Sequence, residues 1–295
     1  NTPGFADVLG GDTTFDGTIA AAGDRDHVRF TLTTDSLVVA ESLGLDQSTL
    51  EERLEGLDTT FGLVRFADEL EHPNGTLSLA YRFVHILYQE ALYASLKATR
   101  RVALSKATAA ALIRAHGDQS DRVAVQLAAL HEAARDYAAA AECYLRAARN
   151  ATRVFANHES VALARHGLRL VAQLPPSPTR DVLELDLSLT LGWSMINVRG
   201  YAAVEVAQIY TRAAALCEPA NRRNDLFRPL WGLAMCYLTR AEHGQVKVLA
   251  DRILALAQES GEPPARATAH YMLGTVSVYT GEIVSARRHY LDGIA

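Results

Sequence analysis

The chain has 295 residues, 49% of them hydrophobic and 21% charged, with a formal net charge of −5. That length holds two domains, or one domain plus a repeat array, and the composition is that of a globular protein with large cores. It argues against a membrane span, since no run approaches about 18 apolar residues, and no basic-then-apolar leader pattern opens the chain. The reading is a cytoplasmic protein.

The net charge hides an asymmetry. Residues 1–98 carry 16 acidic and 6 basic side chains, and the remainder 18 acidic and 23 basic. Two oppositely charged parts predict a boundary near residue 98. Cys143, Cys217 and Cys236 are scattered through helical apolar patterns. An odd, dispersed set fits small buried hydrophobes in a reducing compartment rather than a disulfide framework. Asn1 at the start and an uncapped helical end, "SARRHYLDGIA", predict a fragment of a longer protein.

Residues 1–28 are rich in Gly, Asp and Thr without a sustained period, and predict an irregular segment of loops and short strands. Residues 35–62 predict two helices. Asp35 caps a first helix bearing Leu37, Val39, Ala40 and Leu43, which Gly44 stops. Ser48 and Glu51 have capping-box spacing. Leu50, Leu54, Leu57 and Phe61 then form one apolar stripe. Two strands follow, "LVRF" and "TLSLAYRF", the second with period-two alternation, and Asn74-Gly75 is a hairpin signal. Helix-turn-helix plus hairpin predicts a winged helix over 29–98. Its closing helix is "YRFVHILYQEALYASL", apolar on most faces and therefore expected to be buried on several sides.

From residue 99 to 295 the period is helical, and the helices repeat. "QLAALHEAARDYAAAAECYLRAA" places Ala128, Ala140, Tyr144 and Ala147 at tetratricopeptide spacing. Tyr237 and Ala250 do so again, and Gly274, Gly281, Ala286 and Tyr290 give the clearest match. Small residues there let paired helices approach, and aromatic rings fill the gaps between them. Arg135, Asn157, Tyr201, Ala241 and Gly281 are the expected turn positions, irregularly spaced, so the repeats are degenerate. The fold class expected is mainly α: a winged helix, then a tetratricopeptide-like α-solenoid.

No phosphate loop, dinucleotide fingerprint or nucleophile elbow occurs in the chain. His158-Glu159 starts like a zinc-protease helix, but Ala162 stands where the second histidine belongs, and the cysteines lack paired ligand spacing. The chain is not expected to be an enzyme, and no metal or cofactor is expected in it. The winged helix raises DNA binding, which its charge opposes. Affinity for a duplex needs Lys and Arg on phosphates, whereas the would-be recognition helix holds Glu51, Glu52, Glu55 and Asp58 against Arg53.

An acidic winged helix, then "YRFVHILYQEALYASLKATRRVALSKATAAALI", then degenerate repeats with "GYAAVEVAQIYTRAAALCE", resembles the C-terminal part of large bacterial predicted ATPases. These are STAND-type signal-transduction NTPases, often fused behind a class III adenylate/guanylate cyclase. The resemblance spans roughly residues 35–295. It implies a regulatory region coupling partner or ligand binding to an upstream ATPase, which would hold the ATP or ADP. In the family's Met-His-Asp motif the histidine contacts the ADP β-phosphate. "FVHIL" maps that role onto His85, with Val84 in place of Met and Ile86 in place of Asp. The alternative for His85 is a structural histidine at the helix start, bonded to a carbonyl or to Gln89.

The implied partners are a protein or peptide on the concave face of the repeats and the chain's own upstream NTPase domain. Neither nucleic acid nor membrane is expected as a direct partner, and oligomerisation stays open. Arg100, Arg101, Arg146, Arg149, Arg153 and Arg165 make the early repeats basic, which favours an acidic partner or simply a solvated helix face. A second family reading is the sensor and oligomerisation region of a STAND transcription regulator of the maltose-activator type. A cyclase or phosphate-loop domain upstream, or a basic helix-turn-helix downstream, separates the two.

Overall fold

A computed structural model of the chain describes residues 14–18, 27–32, 37–42, 55–59, 62–75, 77–217, 222–260 and 263–294. It forms two compact units, Asn1–Arg146 and Ala147–Ala295. The first holds an antiparallel sheet of β1 (Thr14–Thr18), β2 (His27–Leu32), β3 (Leu37–Ser42), β4 (Val64–Glu71) and β5 (Leu77–Phe83), in the order β1-β2-β3-β5-β4.

The helix expected at 35–43 is not formed: β3 occupies it. Val39 pairs with Thr31 of β2 on one side and Ala80 of β5 on the other. The run Leu-Val-Val-Ala satisfies helical spacing, but β-branched side chains favour extended backbone once two strands supply ladder partners. The expected caps at Gly44 and Ser48, and Leu50, Leu54 and Phe61 of the next stripe, lie outside the described residues. Residues 55–59 are helical as expected, with Leu57 buried. The backbone N–H of Phe66 donates to Asp58 Oδ2 at 3.0 Å, tying that helix to the following strand.

The hairpin forms as its turn signal predicts. Gly75 takes φ +79° and its N–H donates to the His72 carbonyl at 2.8 Å. Tyr81 and Phe83 are buried while Arg82 between them is exposed, and a bulge between Phe66 and Asp68 interrupts the register. Phe66 meets the Tyr81 ring edge to face, centroids 5.8 Å apart.

Helices follow: α1 (Ile86–Ser95), α2 (Ala98–His116), a 3₁₀ turn (Gly117–Val123), α3 (Ala124–Ala133) and α4 (Tyr137–Arg153). Then come α5 (Asn157–Val171), α6 (Pro178–Arg199), α7 (Val204–Leu216), α8 (Phe227–Thr239), α9 (His243–Ser260), α10 (Pro263–Tyr279) and α11 (Ile283–Ile294). The chain is thus mainly helical. In the second unit each of α5 to α11 packs chiefly on its neighbours in sequence.

Four helix ends share one backbone design. Arg135, Phe155, Ala241 and Gly281 adopt left-handed φ values of 59°, 60°, 60° and 82°. After each, the next N–H reaches back five residues: Asp136 to His131, Ala156 to Ala151 and Glu242 to Tyr237 at 2.9 Å, and Glu282 to Ser277 at 2.7 Å. This is the Schellman closure, which satisfies carbonyls that a helix end leaves free. The carbonyls of Asp136, Ala156, Glu242 and Glu282 then accept from Ala140, Ser160, Val246 and Ala286, the first interior residues of the next helix. All four are buried. Turn and helix contact are therefore held in one register. Of the expected turn positions, Arg135, Ala241 and Gly281 take the left-handed conformation, while Phe155 and Gly200 take it near Asn157 and Tyr201.

Candidate functional site

His85 stands at the N-terminus of α1, in extended backbone, and its Nδ1 accepts from the Leu87 N–H at 3.2 Å. Satisfying an N–H that has no intrahelical partner is the work of an N-cap side chain. The Tyr88 ring approaches edge-on at 6.3 Å. The burial expected of this helix is not found. His85 is exposed, and so are Val84 (46%), Ile86 (45%), Leu87 (60%) and Tyr88 (44%). Among the described residues, α1 packs on β1 and β5. In the neutral ring, an accepting Nδ1 places the proton on Nε2.

The expected repeat-packing residues sit as follows. Ala128, Ala140, Tyr144 and Ala147 are buried, and the Tyr144 hydroxyl donates to Glu132 Oε2 at 3.0 Å. Tyr237 is half-buried and its carbonyl closes the turn before α9. Gly274 and Ala286 are buried, and the Tyr290 ring lies over Gly274. One such packing group was not anticipated. Tyr210 of α7 is wedged between Gly192 of α6 and Gly232 of α8. The glycines in "LGW" and "WGL" are its sequence trace.

Hydroxyls of Thr152, Ser160 and Ser194 form a closed trio, Ser160 to Ser194 at 2.7 Å and Thr152 to Ser160 at 2.9 Å, with Thr152 also bonded to the Ala148 carbonyl at 3.0 Å. Their hydrogen bonds are spent on one another and on backbone, which makes the trio a joint between α4, α5 and α6 rather than an activated nucleophile. Cys143, Cys217 and Cys236 are buried and free. Burial raises all three thiols, Cys236 to about 11, so thiolate chemistry is suppressed.

Several of the early arginines are engaged within the chain. Arg146 pairs with Asp121 at 3.5 Å, Arg149 with Asp186 at 3.3 Å, and Arg165 with Glu205. Arg101 lies over the Tyr93 ring at 5.3 Å. A cavity of about 600 Å³ opens between α7, α8 and α9. Leu226, Leu230, Leu233 and Leu249 line it, with Arg252 and Glu259 adding charge.

No protein-family model and no curated protein matches the chain. Among solved structures it is similar to BtubC (BKLC) from P. vanneervenii, with 14% identity and a TM-score of 0.48. The match covers 68% of this chain and 90% of that one.

Proposed function

We propose that this chain is the regulatory and protein-interaction region of a multidomain bacterial signal-transduction NTPase of the STAND type, a kind often fused to a cyclase. In this reading a winged helix precedes tetratricopeptide-like repeats that receive a protein or peptide. The observation that carries it is the recurring hairpin: a left-handed turn residue, then a buried small or β-branched residue four positions after the turn closes. Stacked hairpins of that kind present an extended surface to partners.

What supports the winged-helix part of this reading is the sheet order β3-β5-β4 with a helical segment between β3 and β4. Two further strands extend it. The exposed imidazole of His85, with Nε2–H left over from its cap bond, suits a phosphate oxygen supplied by a neighbouring nucleotide domain. Hydrolysis is assigned to that upstream domain, and this chain alone is assigned neither turnover nor DNA binding.

The full-length protein tests the reading. Deleting residues 99–295 should change basal ATP turnover, and His85→Ala should speed ADP release. Turnover and release unchanged in both variants would overturn it, as would a gene with no nucleotide-binding domain upstream.

A further inference from the structure

We infer that His270, His289 and Asp292 form a binding site for a divalent transition-metal ion, bridging α10 and α11. Among the described residues these three bring ligand atoms within 4.8 Å of one another. His270 comes from α10. His289 and Asp292 come from α11 at i and i+3, which places them on one face a turn apart.

The imidazole geometry is the strongest observation. His270 Nδ1 faces His289 Nδ1 at 3.3 Å. Two neutral imidazoles meeting through the same type of nitrogen satisfy each other only when one carries its proton there and the other does not. A shared ion needs no such asymmetry, because both lone pairs converge on it. With Zn–N bonds of about 2.0–2.1 Å and tetrahedral angles, neighbouring nitrogens stand about 3.3–3.4 Å apart. The observed separation equals that spacing.

The surroundings fit a cation. A Cβ at Gly293 would stand 3.1 Å from the His270 Cβ, so the glycine lets α11 approach the imidazole of α10 closely. Both histidines are half-buried, which lowers the water that an ion must displace, while Asp292 is exposed and free to turn inward. Two nitrogens and one carboxylate select zinc and its first-row neighbours over magnesium or calcium. The fourth position falls to water or to a side chain of a partner. The ion would tie α10 to α11. This inference is independent of the NTPase reading above.

The test uses the whole chain stripped of metal with chelator, then titrated with zinc chloride by calorimetry. One equivalent should bind, and excess zinc should raise the melting midpoint by several degrees, since an ion that binds only the folded chain stabilises it. His270→Ala should abolish binding. Asp292→Asn, an exposed change that leaves packing alone, should weaken it by at least about tenfold, the scale on which even outer-shell partners act. Cobalt in place of zinc should give four-coordinate visible bands without a thiolate charge-transfer band. Zinc binding equal in the wild type and His270→Ala, a thiolate band that puts the metal on a cysteine, or no binding at all would each overturn the site.

Discussion

The Tyr290 ring occupies the space that a side chain at residue 274 would fill: a Cβ built on Gly274 would lie 2.7 Å from Tyr290 Cε1. The two are sixteen residues apart, one on each arm of the α10–α11 hairpin. Ala128 and Tyr144, both buried, stand at the same separation on α3 and α4. The small residue sets how near the arms come, and the ring fills what remains. Gly274→Leu and Ala140→Leu should each overpack a helix contact and destabilise by about 1–3 kcal/mol. Thermal melting checks this, and midpoints unchanged in both variants would mean that the repeat register is wrong.

Tyr210 gives a stricter version of the same contact. Cβ atoms at Gly192 and Gly232 would come within 2.8 Å and 2.6 Å of its Cζ. Tyr210 is 4% exposed, whereas Tyr290 is 37% exposed and has room to swing outward. Gly232→Ala should therefore lower the melting midpoint more than Gly274→Ala. Adding Tyr210→Leu should relieve part of the strain, and a double-mutant cycle measures that coupling. Strict additivity would show that ring and glycine do not compete for the same space.

The hairpins were legible because small and aromatic residues at fixed intervals have one economical explanation, close helix pairs. The turns at Arg135, Ala241 and Gly281 fell out of that spacing directly. β3 did not, because six residues satisfy helical and extended patterns alike. Pairing with β2 on one side and with β5, far along the chain, on the other decides the matter. The exposure of α1 was hidden for a related reason: "FVHILY" reports how much surface can be buried, not which neighbour covers it. The Tyr210 wedge joins three helices, and the His270–His289 pair needs the Gly281 turn in place before its separation means anything.

Ala241 holds a left-handed conformation that costs an L-residue roughly 1–2 kcal/mol, while Gly281 holds the equivalent turn without that strain. Ala241→Gly should relieve it, less the extra freedom glycine gives the unfolded chain. The net expectation is a gain of about 0.5–1 kcal/mol, read as a small rise in melting midpoint. Ala110, exposed within α2, is the control: Ala110→Gly should destabilise by about 1 kcal/mol. A fall in both variants would show that residue 241 is not strained.

Acid sensitivity should follow from two histidines of the first unit. Burial lowers the His131 pKa from its ordinary 6.5, with Asp136 opposing and Arg146 adding to the fall. Burial, His72 and Arg122 lower His116. A histidine whose folded pKa is depressed favours the neutral fold. Its contribution is fully present above the unfolded value and is lost as pH drops below 6.5 towards the folded value. The melting midpoint should fall as pH drops below 6.5, and His131→Gln should flatten that fall. Stability that rises on acidification, or an unchanged slope in the variant, would reject this origin.

One pair of substitutions separates the capping role of His85 from the phosphate contact proposed for it. Its Nδ1 caps α1 by accepting from Leu87 N–H, and the side chain is exposed; the proposal gives its Nε2 the contact to a phosphate. His85→Ala removes both, and loss of a cap typically costs about 0.5–2 kcal/mol. His85→Asn restores a preferred capping oxygen but presents no donor where Nε2 stood. In the chain itself, alanine should lower the melting midpoint and asparagine should leave it near wild type. In the full-length protein, a phosphate contact requires both substitutions to speed ADP release. If alanine destabilises the chain while neither variant alters the ADP off-rate, the imidazole serves α1 alone and nucleotide sensing belongs to other residues.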